Sequence, residues 1–124
     1  SLWKELGGLD DRFFAHMEEI DYCWRARRLG WQVTCVPAST VWHLGGGTLP
    51  QGSPFKLKLN FRNSLLMLAN NLPGELGPKS AERRIFFRMV LDGVIACIYL
   101  LTGRRAAFDA VKEAHKEFKQ MQGL

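Results

Sequence analysis

The apolar residues of the second half of the chain recur at helical spacing, and this pattern constrains the fold more than any other feature. Ser53 and Pro54 supply a helix cap and a first-turn proline. The predicted helix ends at residues 70–74, an Asn-Asn-Leu-Pro-Gly run. One face of it carries Leu57, Phe61, Leu65, Leu68 and Leu72.

Two more helices are predicted after this one. The first begins near Pro78, with Ser80 as its cap, and runs to Leu101. The last is amphipathic and follows Gly103. Its apolar face carries Ala107, Phe108, Val111, Ala114, Phe118 and Met121.

The segment 85–101 is mostly apolar and raises the question of a membrane span. Arg88 and Asp92 interrupt it, whereas a spanning helix needs about 20 apolar residues. We therefore reject a transmembrane helix. A buried packing helix is favoured over a helix that lies in a membrane interface.

Charge is distributed unevenly along the 124 residues. Residues 1–50 carry five Lys or Arg and six Asp or Glu, while residues 51–124 carry twelve and six, so the whole excess of +5 comes from the second half. A basic tail suits an anionic membrane surface or nucleic acid, or it is only a solvated helix face. No nucleic-acid motif is present, so no nucleic-acid partner is expected. Three cysteines without a paired spacing favour a reducing, cytoplasmic setting.

The first half combines a helical pattern with short strand-like runs. A helix is predicted from Glu18 to a stop at Gly30. Residues 31–36 and 40–44 are rich in β-branched and aromatic side chains, which favours two short strands. A run of three glycines then predicts a loop.

Three carboxylates lie within four positions at the start of that helix. On a helix, Glu18 and Asp21 are neighbours, and Glu19 is turned by about 100° from Glu18. Arg25 follows Asp21 by four residues and can pair with it. Two readings stay open: acids that complement the helix dipole, or acids that take part in proton transfer.

The wider pattern resembles the C-terminal part of family 2 glycosyltransferases with the GT-A fold, of the bacterial rhamnosyltransferase type. The resemblance lies in residues 6–14, in the spacing Glu18-Glu19-x-Asp21-x-x-x-Arg25, and in Gly30, Pro37 and a histidine followed by glycines. It implies an α/β fragment. Residues 1–50 would be the acceptor-side C-terminal part of the GT-A catalytic domain, with few short strands. Residues 51–124 would be a mostly α-helical extension, which residues 61–65 also resemble.

The resemblance also implies roles for the acids. Glu19 stands where the family has the general base, usually an aspartate, that removes the proton of the acceptor hydroxyl. Glu18 is the alternative base. Asp21 and Arg25 match positions that support the site.

His43 matches the histidine that completes a divalent-cation site, for Mn²⁺ or Mg²⁺, on the donor diphosphate. Gly46, Gly47 and Thr48 would approach the phosphate oxygens. Without the family pattern, His43 reads as a core histidine at a strand end.

The implied activity is inverting transfer of a sugar from a nucleotide-sugar donor to a hydroxyl of a saccharide or lipid-linked acceptor, in the synthesis of bacterial surface polysaccharide. No Asp-x-Asp motif occurs here, so the chain is expected to be inactive without an N-terminal half. Peripheral contact with the inner face of the cytoplasmic membrane and a homodimer are further expectations. The alternative is a non-enzymatic helical interaction module.

Overall fold

The computed structural model describes residues 1–42, 50 and 52–123, and helices dominate them. Five α-helices and one short 3-10 helix follow one another along the chain. In order they are α1 (Leu2–Leu6), the 3-10 helix (Asp11–Phe13), α2 (Glu18–Arg28), α3 (Pro54–Leu76), α4 (Pro78–Leu101) and α5 (Arg105–Met121).

The three long helices of the second half pack on one another. Ser53 caps α3 as predicted, since its side chain accepts a hydrogen bond from the Lys56 amide. Gly77, with φ 78°, alone separates α3 from α4, so the two helices form a hairpin. The apolar core between the three helices contains Phe61, Ala96, Val111 and Ala114, with Leu57, Tyr99 and Phe108 packed against it.

Helix α3 is the centre of the molecule. All six residues from 61 to 66 are buried, so neighbours surround the helix at this level. α4 and α5 pack along it, and α2 and the 3-10 helix also contact it. The first half is anchored there by Phe13, which is completely buried. Such burial of an aromatic side chain stabilises by about 1.5–3 kcal/mol.

The expectation of an α/β fragment is wrong. The described residues are 72% helical and contain no strand and no sheet. Residues 31–36, predicted as a strand, are irregular and exposed. A strand needs a neighbour to accept and donate its backbone hydrogen bonds, and these residues have none in the described part of the chain. Of the second predicted strand, 40–42 is irregular and 43–44 lies outside the described residues.

Two predictions about the long helices also need correction. α3 does not end at residues 70–74 but continues through Pro73 to Leu76. α4 is not a buried packing helix, because only one side of it faces the core. Within the described ranges, no helix combines the length and the apolar character that a membrane crossing requires.

Candidate active site at the start of helix α2

The loop before α2 is held by two polar side chains of α3. The Nδ2 atom of Asn63 donates to the carbonyl oxygens of Phe13, Ala15 and His16 at 2.9, 2.7 and 2.8 Å. The Nη2 atom of Arg62 also donates to the Phe13 carbonyl, at 2.9 Å. Asn63 is completely buried. A buried amide with several strong acceptors fixes the path of this loop.

The same loop is strained. Phe14 has φ 64° and ψ −57°, and the Ala15 amide donates to the Phe13 carbonyl at 2.8 Å, which makes a γ-turn with positive φ. His16 and Met17 follow with φ 71° and 74°. Each such residue costs of order 1–3 kcal/mol, and such strain is concentrated at functional sites. The strained segment leads directly into the first acid of α2.

Asp21 is completely buried and fully engaged. It accepts hydrogen bonds from Arg25 Nε at 2.7 Å, from Asn71 Nδ2 at 2.8 Å and from Asn70 Nδ2 at 3.1 Å. This contact set joins α2 to α3 through a charged group that is paired and hydrogen-bonded.

Arg25 extends the contact set to the start of the chain. Its two terminal nitrogens donate to the carbonyl oxygens of Leu6 at 2.9 Å and Gly8 at 3.0 Å. All three guanidinium nitrogens of Arg25 therefore donate hydrogen bonds within the protein. The supporting role predicted for Asp21 and Arg25 suits this geometry and stays a prediction.

Glu18 and Glu19 have different surroundings. Glu19 is exposed, whereas Glu18 is half-buried. The Oε2 atom of Glu18 and the Nε2 atom of His16 are both buried without a hydrogen-bond partner among the described residues. Buried polar atoms normally have partners. In the first turn of α2, Glu19 is thus exposed to solvent, whereas Glu18 has a buried oxygen atom that accepts no hydrogen bond from the described residues.

Asn70 connects Asp21 to a second acid, Asp10, by donating a hydrogen bond to each carboxylate. The Nδ2 atom of Asn70 donates to Asp10 at 3.1 Å, and its Oδ1 accepts from Arg12 at 2.8 Å. Hydrogen bonds from the Arg12 side chain lower the pKa of Asp10 and outweigh partial burial, which raises it. Asp10 therefore stays ionised at neutral pH and is not a proton donor there.

Another ion cluster fixes α3 to α5 behind the loop. Glu117 accepts from Lys58 at 2.5 Å and from Arg62 at 3.0 Å. Partial burial alone would raise the pKa of Glu117, but the hydrogen bonds and positive charges of Lys58 and Arg62 outweigh it and lower the pKa. Arg62 thus links the loop that precedes α2 to the last helix.

A groove of about 720 Å³ runs beside the acid cluster, between α2 and the end of α3. Ile20, Trp24, Arg28 and Glu75 line it, and the Trp24 indole donates to Glu75. Neither Glu18 nor Glu19 is among its lining residues. An aromatic face with a guanidinium and a carboxylate is suited to a polar ligand such as a sugar.

Three of the four tryptophans lie outside the core. Trp3, Trp31 and Trp42 are 57%, 46% and 96% exposed. Only Trp24 is half-buried, in the groove beside α2.

The predicted metal and phosphate ligands cannot be placed beside the acids. His43, Gly46, Gly47 and Thr48 lie outside the described residues. Within the described ranges, no group of three or more His, Cys, Asp and Glu side chains is arranged to hold a metal ion. The acid cluster by itself therefore does not fit a metal centre.

The sequence pattern did not reveal the polar side chains of α3 that organise this site. Arg62 and Asn63 lie outside the apolar repeat, and Asn70 and Asn71 resemble a helix end followed by proline. The signal that could have identified them is that these polar residues lie inside a predicted helix, next to apolar residues of its buried face.

Comparisons with known proteins give one partial similarity. No protein-family model matches the chain, and no solved structure matches it. Over 74 residues, 60% of the chain, it is 27% identical to N-acetylglucosaminyl-diphospho-decaprenol L-rhamnosyltransferase of Mycobacterium tuberculosis, strains CDC 1551 / Oshkosh and ATCC 25618 / H37Rv. The match spans about a quarter of those relatives, 24% of their length. This similarity hints at a relationship to glycosyltransferases, and it does not assign the chain to a particular glycosyltransferase family.

Proposed function

We propose that this chain is part of an inverting glycosyltransferase that acts in the synthesis of a bacterial surface polysaccharide. The sugar, L-rhamnose, would pass from a nucleotide-sugar donor to a hydroxyl group of a saccharide carried on a lipid diphosphate. The name of the mycobacterial relatives, which gives L-rhamnose as the sugar and N-acetylglucosaminyl-diphospho-decaprenol as the acceptor, supports the proposed sugar and the proposed acceptor class.

The transfer is a single displacement. The acceptor oxygen attacks the anomeric carbon from the side opposite the leaving group, and a new glycosidic bond forms. The bond from that carbon to the donor diphosphate breaks, and the nucleoside diphosphate leaves with the electron pair. The proton of the acceptor hydroxyl passes to a carboxylate of the protein, which acts as general base.

The observation that carries this proposal is the contrast between Glu19 and Asp21 in one helical turn. Glu19 is solvent-accessible, so its carboxylate is free to accept a proton. Asp21 is buried and holds α2 in place through Arg25 and Asn71. A reactive carboxylate on a rigid helix, behind a strained loop, is what an oriented general base requires.

The donor side of the reaction is assigned to parts of the enzyme beyond the described residues. His43 is the proposed ligand of this chain for a divalent cation, and Gly46, Gly47 and Thr48 are proposed for the diphosphate. A bound cation would stabilise the leaving diphosphate. Since the chain spans about a quarter of its relatives, we expect it to be inactive by itself.

Glu19→Gln in the full-length protein tests the proposal. Glutamine keeps the shape but cannot take a proton, so the rate of sugar transfer should fall by roughly 10²–10⁴-fold. Glu19→Asp should retain more of the rate, because it restores the carboxylate. Glu113→Gln, an exposed substitution on α5, is the matched control and should leave the rate unchanged.

The result that overturns the assignment of the base is an unchanged rate in Glu19→Gln with normal circular dichroism. If Glu18→Gln then loses the rate, Glu18 is the base. If neither substitution lowers the rate, the acids of α2 are not the base, and the alternative is favoured that this chain is a non-enzymatic helical module within the full-length protein. The specific observation behind that alternative is the exposed apolar side of α4.

A further inference from the structure

The side of α4 that faces away from the core is entirely apolar between residues 86 and 101. Val94 and Ile98 are 53% and 52% exposed, and Leu101 is 86% exposed. At 100° per residue these side chains lie opposite Asp92, which faces the core. We call this surface the outer α4 face, made of Phe86, Phe87, Val90, Val94, Cys97, Ile98 and Leu101.

The opposite side of the helix packs on the core and carries one buried carboxylate. Asp92 is completely buried and accepts from Arg88 Nε at 2.7 Å, and it lies 3.3 Å from His115 of α5. The helix therefore has a fixed rotation, with its charged centre toward α5. The outer α4 face cannot turn inward without separating Asp92 from His115 and moving the Asp92 carboxylate out of its buried position.

Arginines stand at both ends of the outer α4 face. Arg83 and Arg84 precede it, and Arg104 and Arg105 follow the end of the helix; all four are exposed. In the described part of the chain none of them forms an ion pair.

Positive charge exceeds negative charge around the face. From Phe86 to Leu101 the one carboxylate is Asp92, which is 0% exposed, and the nearest exposed acids in sequence are Glu82 and Asp109. The surface thus offers apolar side chains flanked by four arginines and two acids.

A shallow groove at the N-terminal end of the face combines apolar side chains with positive charge. It encloses about 470 Å³ and is lined by Arg83, Arg84, Phe87, Arg88 and Leu91. Guanidinium groups over an apolar floor match the head of an anionic amphiphile, whose phosphate is charged and whose chain is apolar.

We propose that the outer α4 face binds the surface of an anionic lipid bilayer, with α4 lying in the plane of the interface. A helix with an apolar face and flanking arginines binds this way through apolar burial together with attraction to anionic headgroups. A second copy of the chain fits less well. In either parallel or antiparallel pairing, the arginines of one copy would meet arginines of the other. The proposal goes beyond the transferase activity and does not depend on it.

Vesicle flotation of the purified chain tests the proposal. Vesicles of equimolar phosphatidylcholine and phosphatidylglycerol should carry the protein upward, and vesicles of phosphatidylcholine alone should not. Arg83→Gln with Arg84→Gln should lower the partition coefficient by at least about tenfold, and raised salt should have the same effect. Lys4→Gln with Lys116→Gln removes the same charge from α1 and α5, which are other exposed surfaces, and should have a smaller effect.

The apolar contribution needs its own variant. Phe87→Gln with Ile98→Gln changes exposed positions only, so circular dichroism should stay unchanged while vesicle binding is lost. A fluorophore on Cys97, with Cys23 and Cys35 replaced by serine, should shift to the blue on anionic vesicles.

Three results would overturn the proposal: equal binding to both kinds of vesicle, unchanged binding in the Phe87/Ile98 variant, or no binding at all. A dimer in analytical ultracentrifugation that the Phe87/Ile98 variant abolishes, without vesicle binding, would assign the face to a second copy.

Discussion

Asn71 of α3 donates a 2.8 Å hydrogen bond to Asp21 of α2, and neither side chain has any solvent exposure. This bond connects the helix that carries the candidate general base to the central helix of the molecule. Because Arg25 neutralises the same carboxylate, the buried charge is both paired and hydrogen-bonded.

Asp21→Ala should lower the free energy of unfolding by about 3 kcal/mol, since it leaves the Arg25 guanidinium without its ion-pair partner and one of the two Asn71 side-chain N–H groups without an acceptor. Urea denaturation monitored by circular dichroism measures this. Asp109→Ala, at an exposed position of α5, should stay within about 0.5 kcal/mol of the parent. Equal stability of the two variants would contradict the importance assigned to the buried pair.

Asn63→Ala should release the loop before α2. The substitution removes the donor group that holds the carbonyls of Ala15 and His16 and that holds the carbonyl of Phe13 together with Arg62, and the loss should cost about 1–3 kcal/mol. Hydrogen exchange of the amides of residues 14–18 should become faster. Asn60→Ala, one turn earlier on α3, is the matched control and should leave that exchange unchanged.

Phe14 offers a direct measurement of backbone strain. Glycine normally destabilises relative to alanine, but at φ 64° the order should reverse. Phe14→Gly should be more stable than Phe14→Ala by about 1 kcal/mol. Both variants lose the same contact with Phe55, so the difference isolates the backbone. If alanine is the more stable of the two, the γ-turn is not strained.

Acid should weaken the contact between α3 and α5. The pKa of Glu117 is lowered in the folded state, so the unfolded state binds protons more readily. The resulting stabilisation is fully present above the usual glutamate value of 4.5 and is lost as the pH falls through the lowered value. Glu117→Gln should therefore be less stable at pH 7 and lose less stability on acidification.

Thermal unfolding of both proteins across the acid range checks this sign. Glu113→Gln is the control, because Glu113 is half-exposed and makes only a 3.7 Å pair with Lys116. It should follow the parent curve. A Glu117→Gln curve parallel to that of the parent would show that Lys58 and Arg62 do not stabilise the ionised form.

The helices were predictable because local chemistry specifies them. Ser53 with Pro54, the apolar repeat from Leu57, and the amphipathic pattern after Gly103 are each complete within a few turns of sequence. The strand prediction for residues 31–36 failed for the opposite reason. β-Branched side chains favour extended backbone, but a strand also needs a hydrogen-bonding neighbour from elsewhere in a sheet.

The candidate site was predictable only in part. Spacing identified Glu18, Glu19, Asp21 and Arg25 as a group, and placed Asp21 and Arg25 four residues apart on one helix. It gave no information on which acid is buried, because burial depends on contacts with α3. The partners Asn63 and Asn71 lie about fifty residues away in sequence, and no local pattern pairs them with the acids.

Sequence alone determined the helical second half, its basic charge and the cluster of acids at the start of α2. Tertiary structure decided that Asp21 is buried and hydrogen-bonded while Glu19 is exposed, and it decided which side of α4 is exposed. The physical reason is that helix formation follows from interactions within a few residues, whereas burial, ion pairing and backbone strain arise only when distant segments pack together.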